Sequence, residues 1–335
     1  MKRLLPALAL TLPFAASAQT QVSIYGVLDA FAGRTATASA PVAINAVNSG
    51  GMITSYYGFS GTESLGGGMK AQFQLEGFFR GDTGESGRFN GEPMFARNAN
   101  VGLAGSFGTV RLGRIGNPLF IAAGQINPFG PSTRFSPLIN QVFTAAGGNG
   151  TLGDTGWSNS IQYASNPVND TTFIAQYSLG EQTGVHNNNW AGVAKYAGKE
   201  LAVTLGAQNA RFGPGIAAAT PAQRTYLAAA SYDLKAVKLF ASYTDHETKV
   251  SERDGHSVQA GFTVPTHGRL GRWMVAWSRM TEDAKGVPEF HRDTGALGYD
   301  YNLSPRTDVY AVVMYDKISN ASKGNTYIAG VRHRF

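Results

Sequence analysis

The chain of 335 residues contains no cysteine, so disulfides play no part in holding it together. Beyond its first residues it has no apolar run of the roughly 18 residues that a membrane-spanning helix requires. Charged residues make up only 15% of it, against about a quarter in ordinary soluble domains. Enzyme signatures are missing as well. The six histidines (His186, His246, His256, His267, His291 and His333) are scattered without metal-ligand spacing. There is no G-x-S-x-G and no phosphate-binding loop, since Gly66-Gly67-Gly68 sits in a hairpin and reads as a turn. The remaining enzyme reading is a small membrane barrel with a dispersed catalytic site, and such barrels lack a long inward loop. No cofactor is called for. The formal net charge of +6 includes Lys2 and Arg3 and no basic tail, so nucleic acid is a poor candidate partner.

Low charge without a helical span leaves one membrane architecture, the closed β-barrel. Residues 1–18 fit an export signal. Lys2 and Arg3 precede an apolar stretch from Leu4 to Ala15, and Ala16-Ser17-Ala18 forms an A-x-A cleavage site. From residue 19 on, one domain with period-two alternation is expected. Val22, Ile24, Leu28 and Ala30 share a face opposite Ser23, Tyr25 and Asp29. Ala71, Phe73 and Leu75 oppose Lys70, Gln72, Gln74 and Glu76, and Tyr327, Ala329, Val331, His333 and Phe335 oppose Arg332 and Arg334. The polar faces are rich in Gln, Thr and Ser, which suits a water-filled interior. About sixteen such segments fit the length, and a barrel of that size encloses an aqueous channel. Short connections such as Ser106-Phe107-Gly108 alternate with long ones near residues 33–50, 80–94, 181–188 and 209–223. Tyr56, Tyr57, Tyr226, Tyr232, Trp273, Tyr299, Tyr301, Tyr310, Tyr315 and Tyr327 lie near strand ends and are expected in interfacial aromatic girdles.

Between Gly113 and Trp157 the alternation stops. Pro118, Pro128, Pro131 and Pro137 fall in this stretch among Gly, Asn and Ser. So long a structureless connection usually has a function. Inside a barrel it narrows the bore.

Several stretches resemble the general porins of Gram-negative outer membranes, in particular the trimeric porins of Neisseria- and Burkholderia-type bacteria. They are Gln21–Ala30, Gly58–Glu76, Asn100–Arg114, Asn159–Pro167, Tyr299–Ala311 and the ending Tyr327–Phe335. The resemblance implies an all-β, 16-stranded antiparallel transmembrane β-barrel with an inward-folded third extracellular loop, here residues 115–156. It implies a homotrimer in outer-membrane lipid and lipopolysaccharide that passes small hydrophilic solutes. Phe335 takes the place of the C-terminal aromatic read by the outer-membrane insertion machinery. Ile126-Asn127-Pro128-Phe129-Gly130 resembles the family's constriction stretch, with Pro128 where an acidic residue is usual. Arg114 takes the place of the arginine closing the fifth strand. Tyr56 and Ser60 stand where the family carries basic residues, and Gln162 or Ala164 where it carries an arginine.

Alternation with Val110 and Leu112 points Arg111 into the lumen. Strict parity with Val101 turns Arg97 outward, at the rim. Arg134 lies in the loop. The candidate pore set is therefore Arg114, Arg111, Arg134, Arg97, Tyr56, Ser60, Gln162, Asn127 and Phe129, and clustered arginines between low-dielectric walls favour anions. Lys70, Gln72 and Glu76 fit either the lumen or the trimer axis. The expected function is passive diffusion with weak anion preference. The alternatives are a substrate-preferring channel or, from another class, a barrel-based adhesin, which needs very long surface loops that this chain lacks.

Overall fold

The computed structural model describes residues 21–143, 154–181, 188–211, 222–248, 253–319 and 321–335. The export signal expected at 1–18, the middle of the 181–188 and 209–223 connections, and part of the 115–156 loop lie outside these residues.

The strands in chain order are β1 (Gln21–Thr35), β2 (Ile44–Ser49), β3 (Tyr56–Gly66), β4 (Met69–Phe78), β5 (Asn98–Gly105) and β6 (Gly108–Gly116). Two helices follow, α1 (Pro118–Gln125) and α2 (Pro137–Val142). The wall resumes with β7 (Gly156–Ala164), β8 (Thr171–Ser178), β9 (Asn189–Ala197), β10 (Leu201–Ala210) and β11 (Gln223–Asp233). It ends with β12 (Lys238–Thr248), β13 (Arg253–Thr266), β14 (Gly271–Ala284), β15 (Val287–Asn302), β16 (Thr307–Ile318) and β17 (Lys323–Arg334). Each strand pairs antiparallel with its neighbours, and β1 pairs with β17 from Val27↔Arg334 to Arg34↔Tyr327, which closes the cylinder. Phe335 completes the seam by exchanging backbone hydrogen bonds with Gly26 at 3.1 and 3.2 Å.

β2 lies in the stretch 33–50, expected to be a loop. It pairs with the second half of β1 while β3 pairs with the first half, so the two form one interrupted stave and the barrel has 16 staves. The interruption is stabilised by Asp29, whose carboxylate accepts from the backbone N–H groups of Gly51, Met52 and Ile53 at 2.8–3.1 Å.

The outer face is the apolar one. Val22, Ile24, Val101, Leu205, Tyr226, Tyr232, Trp273, Tyr315 and Tyr327 are all exposed on it. Tyr310 is an exception to the girdle expectation. It is on the inner face, 3% exposed, with its hydroxyl donating to Asp29. Tyr56 also turns inward and packs edge-on against Tyr25. Gly66, Gly67 and Gly68 form the turn read from the sequence, all with positive φ. Among the described residues no helix is long and apolar enough to cross a membrane.

The stretch after β6 is not structureless. Asn117 caps α1 by accepting from the Leu119 N–H at 2.8 Å, and Ser136 caps α2 by accepting from Ile139. Proline at the first turn suits both helices, because the N–H it lacks would be unpaired there in any case.

Candidate functional site: a loop across the bore

Both helices pack on inward-pointing residues. Leu119, Phe120 and Ile126 bury against Val193 of β9, Leu227 of β11 and Phe240 of β12. Phe129 and Phe135 join a second cluster with Met274, Val312 and Met314 on β14 and β16. These wall residues alternate with the exposed outer ones of their own strands (Trp190, Tyr226, Leu239, Trp273, Val313), which fixes them as inner. The polar faces read from the sequence thus do not extend over the whole interior: where the loop docks, the inner wall is apolar. Two glycines make the approach possible. A Cβ on Gly206 would lie 2.5 Å from Leu119, and one on Gly298 would lie 2.9 Å from Phe129.

Polar contacts fix the rest of the path. Asn117 donates to Gln208 at 2.9 Å, Asn127 donates to Gln259 at 3.3 Å, and Ser132 donates to the Gly51 carbonyl at 2.6 Å. The Gln141 amide donates to Thr294 at 2.8 Å and to the carbonyls of Ser278 and Arg292. The segment thus reaches from β10 across to β13, β15 and the break between β2 and β3.

The foot of the loop is clamped by charge. Asp154 lies between Arg114, at the bulge that ends β6, and Arg88, in the 79–97 connection, with Arg88 Nη1 at 2.9 Å. Arg88 also pairs with Glu92. Burial pushes the Asp154 carboxyl up, but the hydrogen bond and charge of Arg88, with the charge of Arg114, bring it below the usual carboxylate range. A depressed pKa contributes stability that is present above about pH 4 and is lost as pH falls through the folded value. Single-channel recordings below pH 4 should therefore show a noisier open level, and Asp154→Asn should reproduce that noise at pH 7. Quiet, unchanged traces in both would remove the clamp's role.

The candidate residues separate into groups. Arg111 faces inward with Nη1 3.5 Å from Gln162 Oε1, and Gln162 is itself bonded to Gln176 at 2.9 Å. Arg97 precedes β5, so strand parity does not govern it. It bends inward, 3.0 Å from Glu76 and 4.0 Å above the Tyr56 ring. Glu76 is 2% exposed and also accepts from Tyr25 and Gln74, so it belongs to this inner network. Ser60 pairs with Gln74 across β3 and β4 on the same face. Arg134 is exposed, 5.5 Å from the Phe31 ring, and shares an outer vestibule of about 420 Å³ with Arg80, Asp82 and Arg88. Asn127 and Phe129 anchor the loop: they are 6% and 1% exposed. Arg114 is committed to Asp154, Ser158 and the Ala96 carbonyl.

Comparison with known proteins fits this geometry. The sequence pattern of the Gram-negative porins matches residues 5–321. The chain belongs to the Gram-negative porin family. This porin is 29% identical to outer membrane porin protein 32 of Delftia acidovorans, covering 99% of this chain and 94% of the relative. It is also 29% identical to an outer membrane porin of Bordetella pertussis over 100% of both chains. Among solved structures, the anion-selective porin from Comamonas acidovorans superposes with a TM-score of 0.79 at 23% identity, covering 95% of this chain and 100% of that one.

Sequence reasoning missed a second basic group in this porin. Lys238, Arg272, Arg332 and Arg334 line a chamber of about 350 Å³ beneath the loop tip, toward the rim with the short turns. Arg332 pairs with Asp308 at 2.9 Å and Asp300 at 3.4 Å, Arg334 with Asp308 at 2.7 Å, and Arg272 with Asp300 at 2.9 Å. The signal was available, since Arg332 and Arg334 already stood on the polar face of the last strand.

Proposed function

We propose that this porin is a passive diffusion channel of the outer membrane for small hydrophilic solutes and ions, with a weak preference for anions. The observation that carries the reading is the segment from Asn117 to Phe143 seated on the inner wall, with basic side chains lining the water-filled spaces on both sides of it. A pore needs no reacting group; it needs a path of limited width and a field along it. The fixed charge along the path includes Arg134, Arg111 and the Lys238 and Arg272 pair, and low-dielectric walls focus the field of such groups. Reversal potential in a planar bilayer under a KCl gradient tests the sign. A modest chloride preference is expected, and a clear potassium preference would overturn it.

The exposed apolar outer face supports a barrel in lipid that assembles as a homotrimer; cross-linking of unboiled protein should give a three-chain band. Removal of residues 1–18 on export and contact with lipopolysaccharide belong to the same reading. The Phe335 ring, 46% exposed on the outer face, supports recognition by the insertion machinery. Among the described residues none in the bore are arranged as an acid, base and nucleophile, which favours a channel over an enzyme.

A further inference from the structure

Asp29 stands on the polar face of β1 and is fully buried. Among the described residues, every hydrogen bond to its carboxylate comes from a neutral donor. Oδ1 accepts from the Gly51 N–H at 3.1 Å and from the Tyr310 hydroxyl, and Oδ2 accepts from the N–H groups of Met52 and Ile53 at 2.8 and 2.9 Å. Three N–H groups and a hydroxyl aimed at two oxygens suit an ionised carboxylate, and such charge-assisted bonds offset its desolvation. The peptides held in this way are the seat of the loop tip. The Gly51 carbonyl accepts from Ser132 at 2.6 Å, and Met52 packs in one cluster with Phe129 and Phe135. The Ser132 hydroxyl in turn accepts from the Phe135 N–H at 2.9 Å, so it also shapes the entry to α2. The fit leaves no slack: a Cβ on Gly51 would lie 2.1 Å from the Tyr310 hydroxyl oxygen. The seat also stands between two water-filled spaces. Met52 and Ile53 line the chamber, whereas Ser49, Gly50 and Thr54 line the vestibule.

We propose that Asp29 is a positioning residue for the constriction: through residues 51–53 it sets how closely the loop tip stands against the wall, and with it the width of the passage from vestibule to chamber. The inference rests on the diffusion-channel reading and assigns part of the aperture to a wall residue that makes no hydrogen bond to the loop. An asparagine at this position would turn an NH2 toward two of the four donors, which then lose their acceptor. The seat loosens, and the loop tip gains a second position farther from the wall.

The test is single-channel recording of Asp29→Asn in KCl. A second, larger open level is expected, occupied about tenfold more often than in the unmutated protein, the factor for losing one charge-assisted hydrogen bond. Ser132→Ala removes the tie from the loop side, at a residue outside every strand, and should populate the same level. Because both act through one seat, Asp29→Asn/Ser132→Ala should not exceed Asp29→Asn alone. Tyr310→Phe removes one donor and keeps the ring. If heat-modified gel mobility shows that Asp29→Asn does not fold, Tyr310→Phe takes its place, with the same level expected and the same lack of additivity. A merely structural Asp29 would lower the melting temperature and leave one open level of normal size. That result, or additive effects in the double variant, would overturn the positioning role while leaving the channel. Absence of any KCl conductance in the unmutated protein would instead refute the channel reading and take this role with it.

Discussion

Replacing residues 118–142 by a short Gly-Ser linker should raise single-channel conductance several-fold and weaken ion selectivity. The segment crosses from β10 to β13 and β15 inside the wall, and its helices and their side chains occupy space that water would otherwise fill. The wall should still close, because its ladders, including the β1–β17 seam, contain no residue of this segment. Stability should fall. Removal exposes Val193, Leu227, Phe240, Met274 and Val312 to the bore, and a buried side chain of this type contributes about 1.5–3 kcal/mol. Conductance in planar bilayers and the heat-modified mobility shift measure the two effects separately. An unchanged conductance in a folded variant would show that the segment does not set the aperture.

The second large effect is expected at Arg292. Its guanidinium is 1% exposed and grips Asp316, 0% exposed, through two hydrogen bonds of 2.8 and 2.9 Å. The same arginine donates to Asn140 of α2 at 2.9 Å. Asp316 also accepts from Thr294 and from the Ala38 N–H. Arg292→Leu leaves a buried carboxylate without its counter-charge and should cost about 3–5 kcal/mol. The double variant Arg292→Leu/Asp316→Leu should recover much of that, because two apolar side chains replace a pair whose desolvation largely offsets its attraction. Urea unfolding in detergent gives the difference, and channel noise should rise in both variants because α2 loses the Asn140 tie to β15 and is left with those of Gln141. A cost under about 1 kcal/mol in the single variant would mean that the pair is solvated in the native barrel.

The barrel wall was legible because period two is local. Each strand must put apolar side chains toward lipid and polar ones inward, so Val22, Ile24, Val101 and Leu205 identify their own faces without reference to a neighbour. The places where this reading failed are those where another part of the chain changes what a face meets. Leu227 and Met274 are inner and apolar because the loop covers them. Tyr310 is inner because Asp29 accepts its hydroxyl. β2 was missed because its pairing depends on Asp29 holding the chain break open at residues 51–53. Arg97 escaped strand parity because it lies one residue before its strand begins.

By itself the sequence determined an antiparallel barrel, greasy outside and polar over much of its inside, with one long interruption after β6. Those features follow from alternation, from the lack of any helical span, and from the proline-rich stretch between Gly113 and Trp157. Only the tertiary structure decided which arginines present charge to the bore. Arg114 is committed to Asp154, whereas Arg272, Arg332 and Arg334 outnumber their partners Asp300 and Asp308 and meet Lys238 from three different staves. The reason is physical: a guanidinium's effect on a passing ion depends on the carboxylates within a few ångströms of it, and those come from strands distant in the chain.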